Sequence, residues 1–308
     1  MDRRTYIKST AGIGAGLGLA GCIGGGGGGE GDGNASEGTT TEGGSGEGNA
    51  SGNGSASGNE SGSGGESKGQ ILIGSDIPYR PFEYRTNEDE LVGFDVDIAE
   101  AVFGEQLGYD PEFKQTSFDT IIPSLNNGNF RVIMSAMTIN DTRAEKVDFS
   151  DPYFTAYQTI VVLQNSEVQS AEDLAGKSVG VQKGTTGQTA AEELKEELDG
   201  DLTIKSYDQI PAAFSALMNN QVSAVINDNT VSAEFVNQNE DAVRFVEGDG
   251  EAAAEGENAP PYLTLTVEEY GIAFRQDDDE LREQVNEALA TIRENGTYDE
   301  IYSEYFSG

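Results

Sequence analysis

The sequence contains no histidine, one cysteine, and 18 lysine and arginine residues against 55 aspartate and glutamate residues in 308. Each shortage excludes something. Catalysis that relies on a positioned acid or base of tuned pKa has no imidazole to use. The single thiol, Cys22, lies near the N-terminus, so the rest of the chain has none. A net charge of −37 repels nucleic acid and anionic membrane surfaces. No apolar run is long enough to cross a hydrocarbon layer of roughly 30 Å, which excludes a receptor built around its own spans. The acid is spread evenly and lysine is scarce, a balance suited to work in concentrated salt.

What is present begins with a signal. "MDRRTYIKSTAGIGAGLGLAGC" pairs Arg3 and Arg4 ahead of a short, glycine-rich, weakly apolar run. The "RRTYIK" pattern resembles a twin-arginine export signal. "LAGC" resembles a lipobox, which makes Cys22 the expected site of lipid attachment. Export of an acidic lipoprotein by this route resembles the practice of halophilic archaea. Residues 23–69 follow, with 20 glycines in 47 positions. So little apolar surface cannot offset the entropy of ordering, and a flexible tether is expected. Four Asn-x-Ser sequons lie in it, at Asn34, Asn49, Asn53 and Asn59, as candidate glycosylation acceptors.

From Gln70 onward, β-branched runs alternate with amphipathic stretches. "GQILIGSD" reads as a strand closed by a turn. "GFDVDIAEAVFGEQLGY" reads as a helix capped by Asp95 or Asp97, with Ile98, Ala101 and Val102 on its buried face. "TSFDTIIPSLNNGNFRVIMSAMT" repeats the unit. After Tyr153 the alternation resumes through "TIVVLQ", "SVGVQKG", "TTGQTAAEELKEEL", "TIKSY", "IPAAFSALMNNQ" and "VSAVIND". The Ala/Gly-rich, acidic "DGEAAAEGENAPP" reads as an exposed loop. In the closing helices Leu281, Val285, Ala288, Leu289 and Ile292 mark a core face. Alternating β and α elements argue for parallel sheets covered by helices.

Ligands of open α/β sheets bind outside the carboxyl ends of the strands. Asp76, Ser135, Thr138, Thr185, Thr186 and Asp228 all fall at such ends, in two segments, which points to one cleft shared by two lobes. Arg143, in "MTINDTR", opens a short helix whose dipole a cation does not help. A guanidinium there suits a carboxylate. The first N–H groups of the helix after "GTT" offer a second anion contact, and Asp228 supplies a fixed negative charge. A cation, N–H donors and an anion together match the zwitterionic head of an α-amino acid. Each feature alone also has a plain use, as a surface ion pair, a helix cap or a turn. Tyr79 and Phe118 are expected against the ligand and Phe82 in the core.

"PYRPFEY", "GFDVDIAEAV", "SFDTIIPSL", "MTINDTR", "VDFSDPYF", "DLAGKSVGVQKGTTG", "AVINDN", "YGIAF" and "NEALATIRENGTYDEIYSEYF" occur in an order that resembles the extracellular polar amino-acid-binding proteins. These are the solute-binding proteins of family 3 that serve ATP-binding-cassette importers. The resemblance covers residues 70–308. It implies a periplasmic-binding-protein-like α/β fold of two lobes, 70–155 with 268–308 and 156–267, joined by two crossovers around a ligand cleft. It also implies a monomer that uses no cofactor or metal and hands its ligand to a membrane permease. By the same resemblance Arg143, Thr138 and Thr186 take the α-carboxylate, and Asp228 takes the α-ammonium with Ser135 and Ala136 beside it. Thr185 stands next to Thr186. Asp76 and Gln182 face the side chain, flanked by Tyr79 and Phe118. Glutamine-binding relatives carry a lysine and a histidine where this chain has Gln182 and Asn227, so basic amino acids join glutamine as expected ligands. The rivals are a dehydratase of prephenate or arogenate on the same fold and the ligand-binding subunit of a sensor.

Overall fold

A computed structural model describes residues 67–306. The signal, Cys22, the sequons and nearly all of the tether lie outside the described residues.

Two sheets carry the fold. The first holds β1 (Gln70–Ser75), β4 (Asp110–Gln115), β5 (Val132–Ile133), β6 (Asp148–Phe149) and β13 (Ala273–Phe274), in the order β4-β1-β5-β13-β6. A small hairpin, β2 (Tyr84–Arg85) and β3 (Leu91–Val92), stands apart. β1 runs parallel to both β4 and β5, as β–α–β alternation requires, with β13 antiparallel on β5. Helix α1 (Phe94–Ala99) continues into a wider turn over Glu100–Gln106 that buries Ala101, Val102 and Phe103. α2 (Phe118–Asn126) turns Ile121 and Leu125 inward, and α3 (Asp141–Ala144) is a single turn.

The second sheet holds β7 (Phe154–Leu163), β8 (Lys177–Gln182), β9 (Leu202–Tyr207), β10 (Ala224–Asp228), β11 (Val243–Phe245) and β12 (Thr264–Tyr270). Its covering helices are α4 (Thr186–Glu197), α5 (Ile210–Met218) and α6 (Asn229–Gln238). α7 (Asp279–Glu294) and α8 (Thr297–Phe306) close the first lobe, with Leu281, Val285, Ala288, Leu289 and Ile292 buried on one face of α7.

The chain changes sheet between Phe149 and Phe154 and returns between Tyr270 and Ala273. The two crossover strands pair antiparallel, from Phe154↔Tyr270 to Thr159↔Thr264. Aromatic packing seals that junction. Phe154 and Tyr270 stack at 5.6 Å between centroids, and the Phe82 ring lies 5.1 Å from Phe154 and 5.4 Å from Tyr270. Phe82 is core, as expected.

Three sequence expectations are corrected. The sheets are mixed, not parallel: β13 runs antiparallel to β5 and β6, and β7 antiparallel to β10, β11 and β12. Asp95 and Asp97 do not cap α1; the cap position is Gly93, with no side-chain bond. Asp95 is fully buried and accepts from Ala136 N (2.9 Å) and the Tyr153 hydroxyl (2.8 Å), while Asp97 accepts from the Tyr305 hydroxyl (2.6 Å). A buried or half-buried carboxylate needs N–H and O–H donors to offset its lost hydration, so these distant partners claim both side chains ahead of a local cap. The acidic insertion is likewise not a plain loop. It forms helical turns over Glu251–Asn258, pinned where Ala252 N donates to Thr264 Oγ1 at 2.9 Å.

Candidate functional site

The site is assembled from strand ends. Asp76 follows β1, Ser135 and Ala136 follow β5, Gln182 ends β8 and Asp228 ends β10. The structure brings all eleven residues singled out from sequence around one enclosed cavity: Asp76, Tyr79, Phe118, Ser135, Ala136, Thr138, Arg143, Gln182, Thr185, Thr186 and Asp228. Gln158 and Asn227 complete the lining. The enclosed space is small, about 10 Å³, because side chains from the two lobes meet one another across it. A wider groove of about 1220 Å³ opens from the Arg143 side and shares Phe118, Thr138, Arg143, Thr185 and Thr186 with the cavity.

Arg143 is 8 % exposed. Its Nη1 donates to Thr138 O at 2.7 Å, and its guanidinium lies 5.2 Å from the centre of the Phe118 ring. Asn140 caps the turn by accepting from Arg143 N at 2.9 Å, which fixes where the side chain starts. Among the described residues no carboxylate comes within ion-pair distance of it; the recorded pairs use other cations. Burial lowers its pKa, opposed by the charges of Glu268 and Asp228. A buried, undercompensated guanidinium attracts an anion strongly.

Facing it, α4 begins at Thr186 with Thr185 as its cap, whose hydroxyl accepts from Gln188 N. The first N–H groups of that helix have no helical acceptor. Gly184 sits directly before it, at φ +78, where an added Cβ would lie 2.9 Å from Asp119 Cα. Only glycine lets the two lobes approach this closely at the rim.

At the other end, Asp228 accepts from the Tyr79 hydroxyl and from Gln158 Nε2. Its pKa is pushed up to about 7, first by burial and then by the neighbouring Glu268. Asp76 takes Gln182 Nε2 on one oxygen and Gln209 Nε2 (3.3 Å) on the other, and burial raises its pKa as well. Ser135 Oγ accepts from Asp76 N (2.9 Å) and donates to Glu83 (2.8 Å). Glu83 and Asp95, both fully buried beneath this floor, are raised by burial, Asp95 to about 6. Ala136 adopts φ +46, a conformation rare for a residue with a Cβ, and the bond from its N–H to Asp95 holds it there.

Sequence reasoning missed Gln158, Asn227 and Glu268 as site members. Glu268 Oε2 accepts from Thr138 Oγ1 (2.6 Å) on one lobe and Thr186 Oγ1 (2.8 Å) on the other. A signal existed for two of them. Gln158 interrupts the apolar run "TAYQTIVVL", and Glu268 is one of two acids in "LTVEEY", the strand that pairs with it.

A family model for bacterial extracellular solute-binding proteins, family 3, matches residues 71–308. A probable histidine-binding protein of Neisseria gonorrhoeae is 33% identical over 237 residues, 76% of this chain and 82% of that one. An arginine-binding extracellular protein of Bacillus subtilis is 32% identical, with 78% and 88% covered. Among solved structures, an ancestral arginine-binding protein bound to arginine superposes with a TM-score of 0.68 at 38% identity, covering 78% of this chain and all but 1% of that one. The arginine-, lysine-, histidine-binding protein of Geobacillus stearothermophilus gives 0.67 at 37% identity, with 78% and 96% covered.

Proposed function

The chain belongs to the bacterial extracellular solute-binding proteins, family 3, and on that premise we propose that it captures a free L-amino acid between its lobes for an ATP-binding-cassette permease. The observation that carries this reading is Arg143, buried without a carboxylate partner and set across one cavity from Asp228. The α-carboxylate pairs with Arg143 and the first N–H groups of α4. The α-ammonium pairs with Asp228, near the Ser135–Ala136 turn. The side chain extends toward Asp76 and Gln182, between Tyr79 and Phe118.

Charge selects the ligand class. Asp76 and Asp228 line the cavity and Glu268 the adjoining groove, against one cation among the cavity's described residues, Arg143. A ligand of net positive charge balances that excess best, so a basic amino acid is favoured, with glutamine as the neutral alternative. Relatives named for arginine, histidine or lysine agree with this choice, and one named for L-cystine does not.

The ligand enters only when the lobes part and Tyr79, Gln158 and Gln182 exchange their bonds to Asp228 and Asp76 for bonds to it. Because its contacts come from both lobes, it favours the closed arrangement by differential affinity. Nothing in this scheme transfers a group, and the protein is a binding protein rather than an enzyme. Titration calorimetry of the full chain against the L-amino acids in concentrated salt tests the reading, together with mass spectrometry of any co-purified small molecule. Tight binding of a basic amino acid is expected. No heat and no shift in unfolding temperature with any free amino acid would overturn it.

The N-terminal motifs support an anchor. We propose that the mature chain begins at a lipidated Cys22 and that residues 23–69 act as a tether on the outer face of the membrane. Cell fractionation should find the wild type with membranes and Cys22→Ser shed or unprocessed. Wild-type protein in the cytoplasm with Met1 intact would refute it.

A further inference from the structure

We propose that Gln209 is a specificity-determining residue that reads the far end of the ligand's side chain when the lobes close; the inference rests on the amino-acid reading above. Gln209 belongs to the second lobe, immediately before α5, at the position where a side-chain oxygen usually accepts from the first-turn N–H groups. It makes no such bond. Its carboxamide instead crosses the cleft, donating from Nε2 to Ile77 O at 2.9 Å and to Asp76 Oδ1 at 3.3 Å. Gln115 Nε2 meets the same Ile77 carbonyl at 2.8 Å.

A second observation lies beside it. Gln182 is 2 % exposed and spends its Nε2 on Asp76 and on Asp208 O (3.3 Å), leaving a buried Oε1 with no partner. Asp76 is thus bracketed by two carboxamides of the other lobe, one on each oxygen. Each carboxamide carries an acceptor as well as donors. A ligand side chain ending in several N–H groups satisfies Asp76 and the two Oε1 atoms together. An apolar end leaves the buried Gln182 Oε1 unpaired and gives Asp76 nothing beyond the two carboxamides, which a buried polar site rejects. Being neutral, Gln209 adds little discrimination between a guanidinium and an uncharged ureido group of the same shape. That leaves Asp76 as the charge sensor and makes Gln209 the donor counter.

The test uses the full chain as wild type, Gln209→Glu and Gln209→Leu, each titrated with arginine, citrulline and norleucine. Arginine and citrulline share shape and differ in terminal charge, and norleucine supplies an apolar end, two atoms shorter, with no donors. Gln209→Glu places a second carboxylate beside Asp76 and should raise the arginine-to-citrulline preference about tenfold over wild type. Gln209→Leu removes the acceptor and should lower the arginine-to-norleucine preference about tenfold. Ratios taken within one variant are insensitive to modest changes in its folded fraction, and Gln209→Ala replaces Gln209→Leu if the latter does not fold. Ratios within twofold of wild type in both variants overturn the role of Gln209 and leave the amino-acid reading intact. A wild type that binds no amino acid overturns both.

Discussion

Replacing Arg143 by alanine separates recognition from folding. In the liganded pocket the substitution leaves an α-carboxylate enclosed without its cation. Truncating one partner of a buried charge pair takes away about 2–5 kcal/mol of binding, a loss of roughly 30-fold to several thousandfold. Folding should respond far less. The variant gives up the bonds to Thr138 O and, at 3.4 Å, to Gly184 O, and the contact with the Phe118 ring, about 1 kcal/mol for the first and less for the long second bond, and about 0.5–1 kcal/mol for the ring. Against this it no longer buries a guanidinium, whose desolvation is already visible in its lowered pKa. The opposing terms leave a change of about 1 kcal/mol or less, a few degrees in Tm for a domain of this size. Lysine at the position keeps the charge but not the planar fork, so Arg143→Lys should fall between alanine and wild type. The assay is calorimetry with the preferred amino acid and with its α-carboxamide, alongside thermal unfolding. The carboxamide should bind wild type poorly and hardly distinguish it from Arg143→Ala. If Arg143→Ala lowers Tm by ten degrees or more while binding persists, the arginine is structural and the head-group assignment fails.

Asp228 gives a pH signature. Its folded pKa of about 7 lies above the ordinary carboxylate value, so its stabilising contribution is complete at low pH and is lost as pH rises through about 7. Asp228→Asn removes that loss. Its stability relative to wild type should improve by on the order of 1–3 kcal/mol between pH 5 and pH 8, while ligand binding collapses; parallel Tm–pH curves would refute the burial argument. Glu268→Ala removes the acceptor shared by Thr138 and Thr186 and should speed ligand release by about 10- to 150-fold, since a hydrogen bond to a charged group contributes about 1.5–3 kcal/mol. Slower release would mean that this carboxylate competes with the ligand's own. Lys183 and Asp119 also bridge the lobes, at 2.6 Å, but the lysine is 55% exposed. Lys183→Met should therefore change affinity less than about fivefold, and a loss above a hundredfold in stopped-flow or calorimetric titration would contradict that.

Most parts of the site legible in sequence share one property: they lie where a strand stops. A polar residue closing an apolar run, as at Asp76, Gln182 and Asp228, has a restricted set of uses, and the α/β alternation says on which edge they gather. Arg143 was readable because it sits where the local helix does not want a cation. Gln158 and Glu268 left only a polar break in an apolar run as a trace, because their meeting depends on pairing between strands about 100 residues apart, which no local period reports. Asp95 and Asp97 were misread for a related reason. Two carboxylates at a helix start have a local use as caps, and only the distant Ala136, Tyr153 and Tyr305 reveal that they are spent elsewhere. Gln209 looked like an ordinary position before a helix, and its bond to Asp76 spans 133 residues.

The pairing of β7 with β12 has a mechanical consequence. Two separate linkers would let the lobes twist, slide and gape independently. Joined as a hydrogen-bonded ribbon and wedged by Phe82, Phe154 and Tyr270, the linkers resist sliding, because that motion breaks the ladder. Bending the ribbon across its flat face keeps the ladder intact. The molecule therefore works like a book on a spine, with the opening angle as its one easy coordinate. Any surface that rests against both covers at once can learn from that angle alone whether a page is held between them.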